Sequence, residues 1–162
     1  MSEQHALAAY LNDHLAGATG ALELFRRAAG SHPAPRREEL VRLCSEVQSD
    51  RHRLRTLMGR LDVSENQAMV ALGWVGERVG RFKPNGYLVS RSPMSDVVEL
   101  EAMRLAVHSK LACWQVLRAV AVHDTRIAKT EVEELIARAE DQEAQLYKLH
   151  LQAVQDHVAP SD

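Results

Sequence analysis

Aromatic residues make up only 4% of this 162-residue chain, and it has two cysteines, five prolines and eight glycines. Val, Ile and Thr together number 22, against 42 for Ala and Leu. Sheets favour β-branched and aromatic side chains, so this scarcity argues against a β-rich fold. No run of about 18 apolar residues occurs, which excludes a helix crossing a bilayer. The opening Met1-Ser2-Glu3-Gln4-His5 lacks the basic start and apolar stretch of a secretory signal. A cytoplasmic protein with no membrane partner is therefore expected. Cys44 and Cys113 stand alone without ligand-type spacing and read as buried free thiols in a reducing compartment. A net charge of −2 does not give the strongly basic field of a nucleic-acid binder. There is no Gly-rich phosphate loop, nucleophile elbow or Cys/His zinc spacing.

What is present is a balanced globular composition, 46% hydrophobic and 26% charged, of a size that fits one domain over residues 1–162. Apolar periodicity predicts five helices, at about 2–29, 35–61, 64–82, 93–122 and 130–158. In the first, Leu7, Leu11, His14, Ala18, Ala21 and Phe25 share a face. Gly30 reads as its stop, and Gly17 and Gly20 as a site of close contact with a neighbouring helix. Pro35 opens the second, whose seam is Leu40, Leu43, Val47, Asp50, Leu54, Leu57, Leu61. Ser64-Glu65-Asn66-Gln67 reads as a capping box for the third, where Gly73, Gly76 and Gly80 flank Trp74. Lys83-Pro84-Asn85-Gly86 is a turn signal, and Ser92-Pro93 restarts a helix that is apolar on most sides and expected to be the most buried. Thr130-Glu131-Val132-Glu133 is a second capping box. The last seam is Val132, Leu135, Ala139, Gln142, Leu146, Leu149, Ala153.

Short turns join helices one to two and four to five, so each pair is expected to be an antiparallel hairpin. A long connection from about Asp62 to Ser92 lies between them. A plain up-and-down five-helix bundle is the alternative layout.

Polar residues interrupt the apolar faces: His14, Asp50 and Gln142 in three seams, and Glu101, His108 and Lys110 on helix four. Buried polar groups need partners, so these are expected to meet. Counting from the turns puts His14 level with Asp50, and His108 level with Gln142 and Glu143. A buried network of His14, Asp50, His108 and Gln142 is the expected outcome.

This layout over residues 3–158 resembles the ferritin-like superfamily of four-helix bundles. The resemblance implies two hairpins with a long crossover. It also implies a di-metal site of carboxylates and Glu-x-x-His pairs drawn from all four long helices. The chain departs from that pattern in every helix. Helix one offers His14 beside Asp13, helix two Asp50-x-x-Arg53 or Glu46-x-x-Ser49, helix four His108 or Glu101, and helix five Glu140-x-x-Glu143 or Ala139-x-x-Gln142. An arginine where a ligand histidine belongs repels a cation.

The leading expectation is a non-catalytic interaction or structural bundle, homo-oligomeric and without a cofactor, in which the polar network replaces the metals. A second is a metal protein oxidising Fe(II), using iron or another first-row ion on His14, Asp50, Glu46, Glu101, His108 and Glu143. A third is a DNA-associated stress bundle using Arg51, Arg53, Arg55 and Arg60 with Arg78, Arg81, Lys83 and Arg91. Against it, Glu131, Glu133, Glu134, Glu140, Asp141 and Glu143 are placed to pair with those cations. His150 and His157, seven residues apart, read as solvated, and Tyr147 as a rim residue.

Overall fold

The structure is a computed structural model, and it describes residues 3–71 and 94–158. The described chain is all-α. Four long helices are α1 (Glu3–Ser31), α2 (Arg36–Arg60), α3 (Ser95–Val120) and α4 (Lys129–Val158). Residues 67–71 are also helical, beginning the helix expected at 64–82. The glycines 73, 76 and 80, Trp74, the Lys83-Pro84-Asn85-Gly86 turn, the Ser92-Pro93 cap and the cations at 78, 81, 83 and 91 lie outside the described residues.

Side-chain pairs define how the helices run. Along α3 and α4, Arg104 meets His150, Lys110 meets Gln142 and Arg118 meets Glu133, so the two are antiparallel. Along α1 and α2, Asn12 meets the backbone just beyond α2, while Thr19 meets Arg51. α2 and α4 oppose each other through Arg42–Gln145, Gln142–Glu46 and Arg53–Glu131. Arg36 at the start of α2 reaches Asp96 at the start of α3, whereas Ile127 after α3 packs with Leu61 and Val63 after α2. The connection between α2 and α3 thus joins opposite ends of the bundle.

The seams of α2 and α4 are buried at every position read from the sequence, Asp50 and Gln142 included. α1 is buried chiefly at Leu11, Leu15, Leu22 and Phe25. His14, Ala18 and Ala21 are half-buried because a cavity, rather than a helix, lies against them. α3 is less buried than expected: Val98, Leu105 and Val116 are 50%, 72% and 38% exposed. Its core line is Leu100, Met103, Val107, Lys110, Trp114 and Leu117, spaced alternately three and four apart.

The caps differ from the sequence reading. α1 continues through Gly30 to Ser31. α2 instead ends in a Schellman motif: Val63 N–H donates to Met58 O at 2.9 Å and Asp62 N–H to Gly59 O at 3.2 Å. Asp62 takes the left-handed position there, with φ 58°. At the next helix, Asn66 rather than Ser64 is the cap, its Oδ1 accepting from Met69 N–H at 3.2 Å. Gly17 faces open space, so close helix approach does not explain it.

Candidate functional site

The core is two apolar clusters rather than one. The first gathers Leu11, Leu54, Leu57, Trp114, Ile127 and Val132 near the α3–α4 turn. The second gathers Phe25, Leu40, Leu43, Leu100, Met103 and Leu149 near the α1–α2 turn. A polar layer divides them, and Asp50 is its centre.

Asp50 comes from the α2 seam and is 2% exposed. Lys110 Nζ from α3 donates to Asp50 Oδ2 at 2.5 Å and also to Gln142 Oε1. The Arg138 guanidinium from α4 donates to Asp50 Oδ1. Gln142, fully buried, donates through Nε2 to Asp50 Oδ2 at 3.1 Å and Glu46 Oε2 at 3.0 Å. Burial pushes the Lys110 ammonium below the usual lysine range, and the Asp50 charge and hydrogen bond oppose that drop. Three helices thus converge on one carboxylate that two cations neutralise.

His14 does not join this layer by a hydrogen bond. It is half-buried, meets Tyr10 edge-to-face at 4.5 Å between centroids, and lines a cavity that Asp50 and Lys110 also line. Burial lowers its affinity for a proton, while Asp13 next to it partly restores it. His108 is exposed, so its expected place in the buried network is corrected. Two residues rotate about 200° around an α-helix, so His108 and Lys110 face opposite ways, and the seam takes Lys110. Glu101 is exposed and lies 3.4 Å from His150 Nε2. Glu143 pairs with Arg104 at 2.8 Å, away from Asp50. Of the six candidate ligands, only Glu46 and Asp50 therefore meet in the polar layer.

Elsewhere in the bundle, among the described residues, one group of three side chains brings ligand-type atoms within 4.8 Å of one another: His32, Asp96 and Glu99, at the α1–α2 turn and the start of α3. His32 is fully buried, with Nε2 3.1 Å from Glu99. Arg36 Nη2 lies 3.5 Å from Asp96 and Arg27 Nε 3.7 Å from Glu99. These guanidinium groups supply the positive charge that a cation would bring, and the group ties the starts of α2 and α3 to the end of α1. His157 reaches Asp96 at 3.6 Å, whereas His150 lies by Arg104 and Glu101, so the two histidines share no site.

The arginines of α2 are engaged. Arg53 and Arg60 both reach Glu131, Arg55 reaches Glu65, and Arg51 donates to Thr19 Oγ1 at 3.0 Å. Tyr147 sits on the rim, with the Arg104 guanidinium 4.8 Å from its ring centre.

Sequence reasoning missed Asn12, a buried α1 residue. Its Nδ2 donates to Ala8 O and Ser64 O, and its Oδ1 accepts from Asn66 N–H at 2.6 Å, which holds the start of the connection against α1. Its place beside Leu11 on the inner face was the available signal. No family model, curated protein or solved structure matches the chain.

Proposed function

We propose that this protein is a non-catalytic bundle of ferritin-like layout, in which an ion-paired polar layer takes the place of a di-metal centre. One observation carries the reading: Asp50, the buried carboxylate at the middle of the bundle, already holds the Lys110 ammonium and the Arg138 guanidinium. A di-metal site needs several carboxylates and imidazoles converging around the ions. Here one buried and one half-buried carboxylate meet two fixed cations, and a metal ion placed on Asp50 would have to displace both. The residues present do not fit two metals.

Such a layer serves register. A buried polar group that is satisfied in one alignment only penalises every slipped alignment of the helices, which is the best-attested use of buried ionic groups. The role left to the bundle is binding and association. Self-association is supported by an apolar outer line on α3 formed by Val98, Leu105 and Val116, of which Leu105 is 72% exposed.

The test is elemental analysis of untagged protein purified without chelator, followed by anaerobic Fe(II) loading and aeration. The expected outcome is substoichiometric metal and no ferric absorbance above a protein-free control. One or two tightly held ions per chain, lost in Asp50→Asn, would defeat the reading. Light scattering is expected to show an oligomer that Leu105→Lys dissociates.

A further inference from the structure

A cavity of about 530 Å³ lies between α1, α2 and α3, beside the polar layer. Most of its wall is apolar, with Ala18, Ala21, Phe25, Leu54 and Val107 among the lining residues. Its polar groups come from all three walls: Asp13 and His14 on α1, Asp50 and Arg51 on α2, and Ser109, Lys110 and Trp114 on α3. Small-molecule sites have this character, with cavities of about 300–1,000 Å³ that are mainly apolar and carry a few convergent polar groups.

Trp114 gives the first sign of a ligand. It is 1% exposed, lines the cavity, and its indole N–H has no hydrogen-bond partner. A buried donor left unpaired costs about 1–3 kcal/mol, so a native core keeps one where something else supplies the acceptor. Lys110 and Trp114 stand four residues apart on α3, hence on one face a turn apart. Both therefore belong to the same wall of the cavity.

Charge gives the second. Asp50 is the buried carboxylate on the cavity wall, and Lys110 and Arg138 both bond to it. Arg138 does not line the cavity, so Arg51 is the second cation on the wall beside Lys110, and its Nε bonds to a neutral hydroxyl. Glu46 meets the layer through Gln142, but its other oxygen pairs with Arg42 and it does not line the cavity. Asp13 also lines the cavity but is exposed, where water screens it. His14 favours its neutral form. Among the buried and half-buried lining residues, two cations, Lys110 and Arg51, thus face one carboxylate, Asp50.

We propose that the cavity binds a small molecule with an apolar body and a terminal carboxylate, the carboxylate accepting from the Trp114 N–H and the Lys110 ammonium and the body lying along Ala18, Ala21 and Phe25. The site rests on the reading of the polar layer as ion-paired, since it requires Lys110 and Trp114 where they are and shares Asp50 with that layer.

Decanoate and decanol, equal in chain length, separate the headgroup from the body. Calorimetric titration of the intact chain should show decanoate saturating at one molecule per chain, with decanol binding about tenfold or more weakly, as loss of hydrogen bonds to a charged partner implies. The Trp114 indole proton resonance should move downfield with decanoate and return in Trp114→Phe only as a missing peak. That variant should weaken decanoate about fivefold, the scale of one hydrogen bond. Ala21→Phe, and Ala18→Leu should the first fail to fold, fill the space and should abolish binding while the helical circular dichroism persists. No saturable decanoate binding, decanol matching decanoate, or full binding in a folded cavity-filled variant would each overturn the proposal. Metal content is measured separately, so absence of decanoate binding in metal-free protein overturns this proposal and leaves the reading of the polar layer standing.

Discussion

At Asp50 the balance of charge decides what truncation does. Asp50→Ala leaves Lys110 and Arg138 buried or half-buried without their carboxylate and takes a partner from Gln142. Breaking a buried pair by removing one partner costs about 3–5 kcal/mol. Urea unfolding of Asp50→Ala should show a loss of that size, whereas Asp50→Leu combined with Lys110→Met should recover part of it, because the unpaired ammonium is gone. A second residue-scale expectation concerns the thiols. Burial pushes the Cys113 thiol up to about 12, and burial also raises the half-buried Cys44. The thiolate is the reactive form. In the native protein at pH 8, Cys44 should therefore label first with a disulfide reagent, and Cys113 only as fast as the fold opens. Equal rates in native and unfolded protein would contradict the burial of Cys113.

The helices carry two local sequence choices that cost stability. Gly17 sits inside α1 with nothing within 4 Å of where a Cβ would stand. Glycine in a helix interior costs about 1 kcal/mol relative to alanine, so Gly17→Ala should raise thermal stability by up to that amount. Asp62 occupies the left-handed position that closes α2, where glycine carries no Cβ penalty. Its side chain meets Arg126 at 2.8 Å, yet Asp62 is 80% exposed, so the ion pair contributes little. Asp62→Gly should be neutral to stabilising by about 0.5–1 kcal/mol, and a loss larger than that in calorimetry would mean that the Asp62–Arg126 contact matters more than its exposure implies. Elements were largely legible in the sequence. The α2 and α4 seams follow a strict three-and-four spacing and are buried as read. The reading of α3 failed at this scale because apolar residues cover both of its sides, so hydrophobicity alone did not say which side faces inward.

For the molecule as a whole, pH acts through His14. Burial is the larger cause and lowers its proton affinity below the ordinary 6.5, with Asp13 opposing. The unfolded chain then binds more protons than the folded one as pH falls through that ordinary value. The contribution is complete above it and lost progressively below, so stability should decline from about pH 7 downward, with a shallower decline in His14→Gln. An unchanged slope in that variant would remove His14 from the acid response. The same scale explains the division of the core. Asp50, Lys110, Arg138 and Gln142 lie between one apolar cluster and the next, so a slip of α2, α3 or α4 moves a charge into hydrocarbon.

Composition and period alone determined that the chain is helical, where its long helices lie, and that Asp50 and Gln142 sit on inner faces, because burial repeats with the helical turn and local spacing records it. Lys110 continues the line of Met103, Val107, Trp114 and Leu117, but apolar residues also cover the side of α3 that carries His108, so spacing alone did not choose between the two. Only the tertiary structure decided that His108 turns outward, that Arg138 joins Asp50 from the flank of α4, and that His32, Arg36 and Asp96 meet at the bundle's end. Those pairings join residues 60 or more positions apart. They depend on how far each helix is rotated and shifted against its neighbours, and no local pattern encodes that rotation.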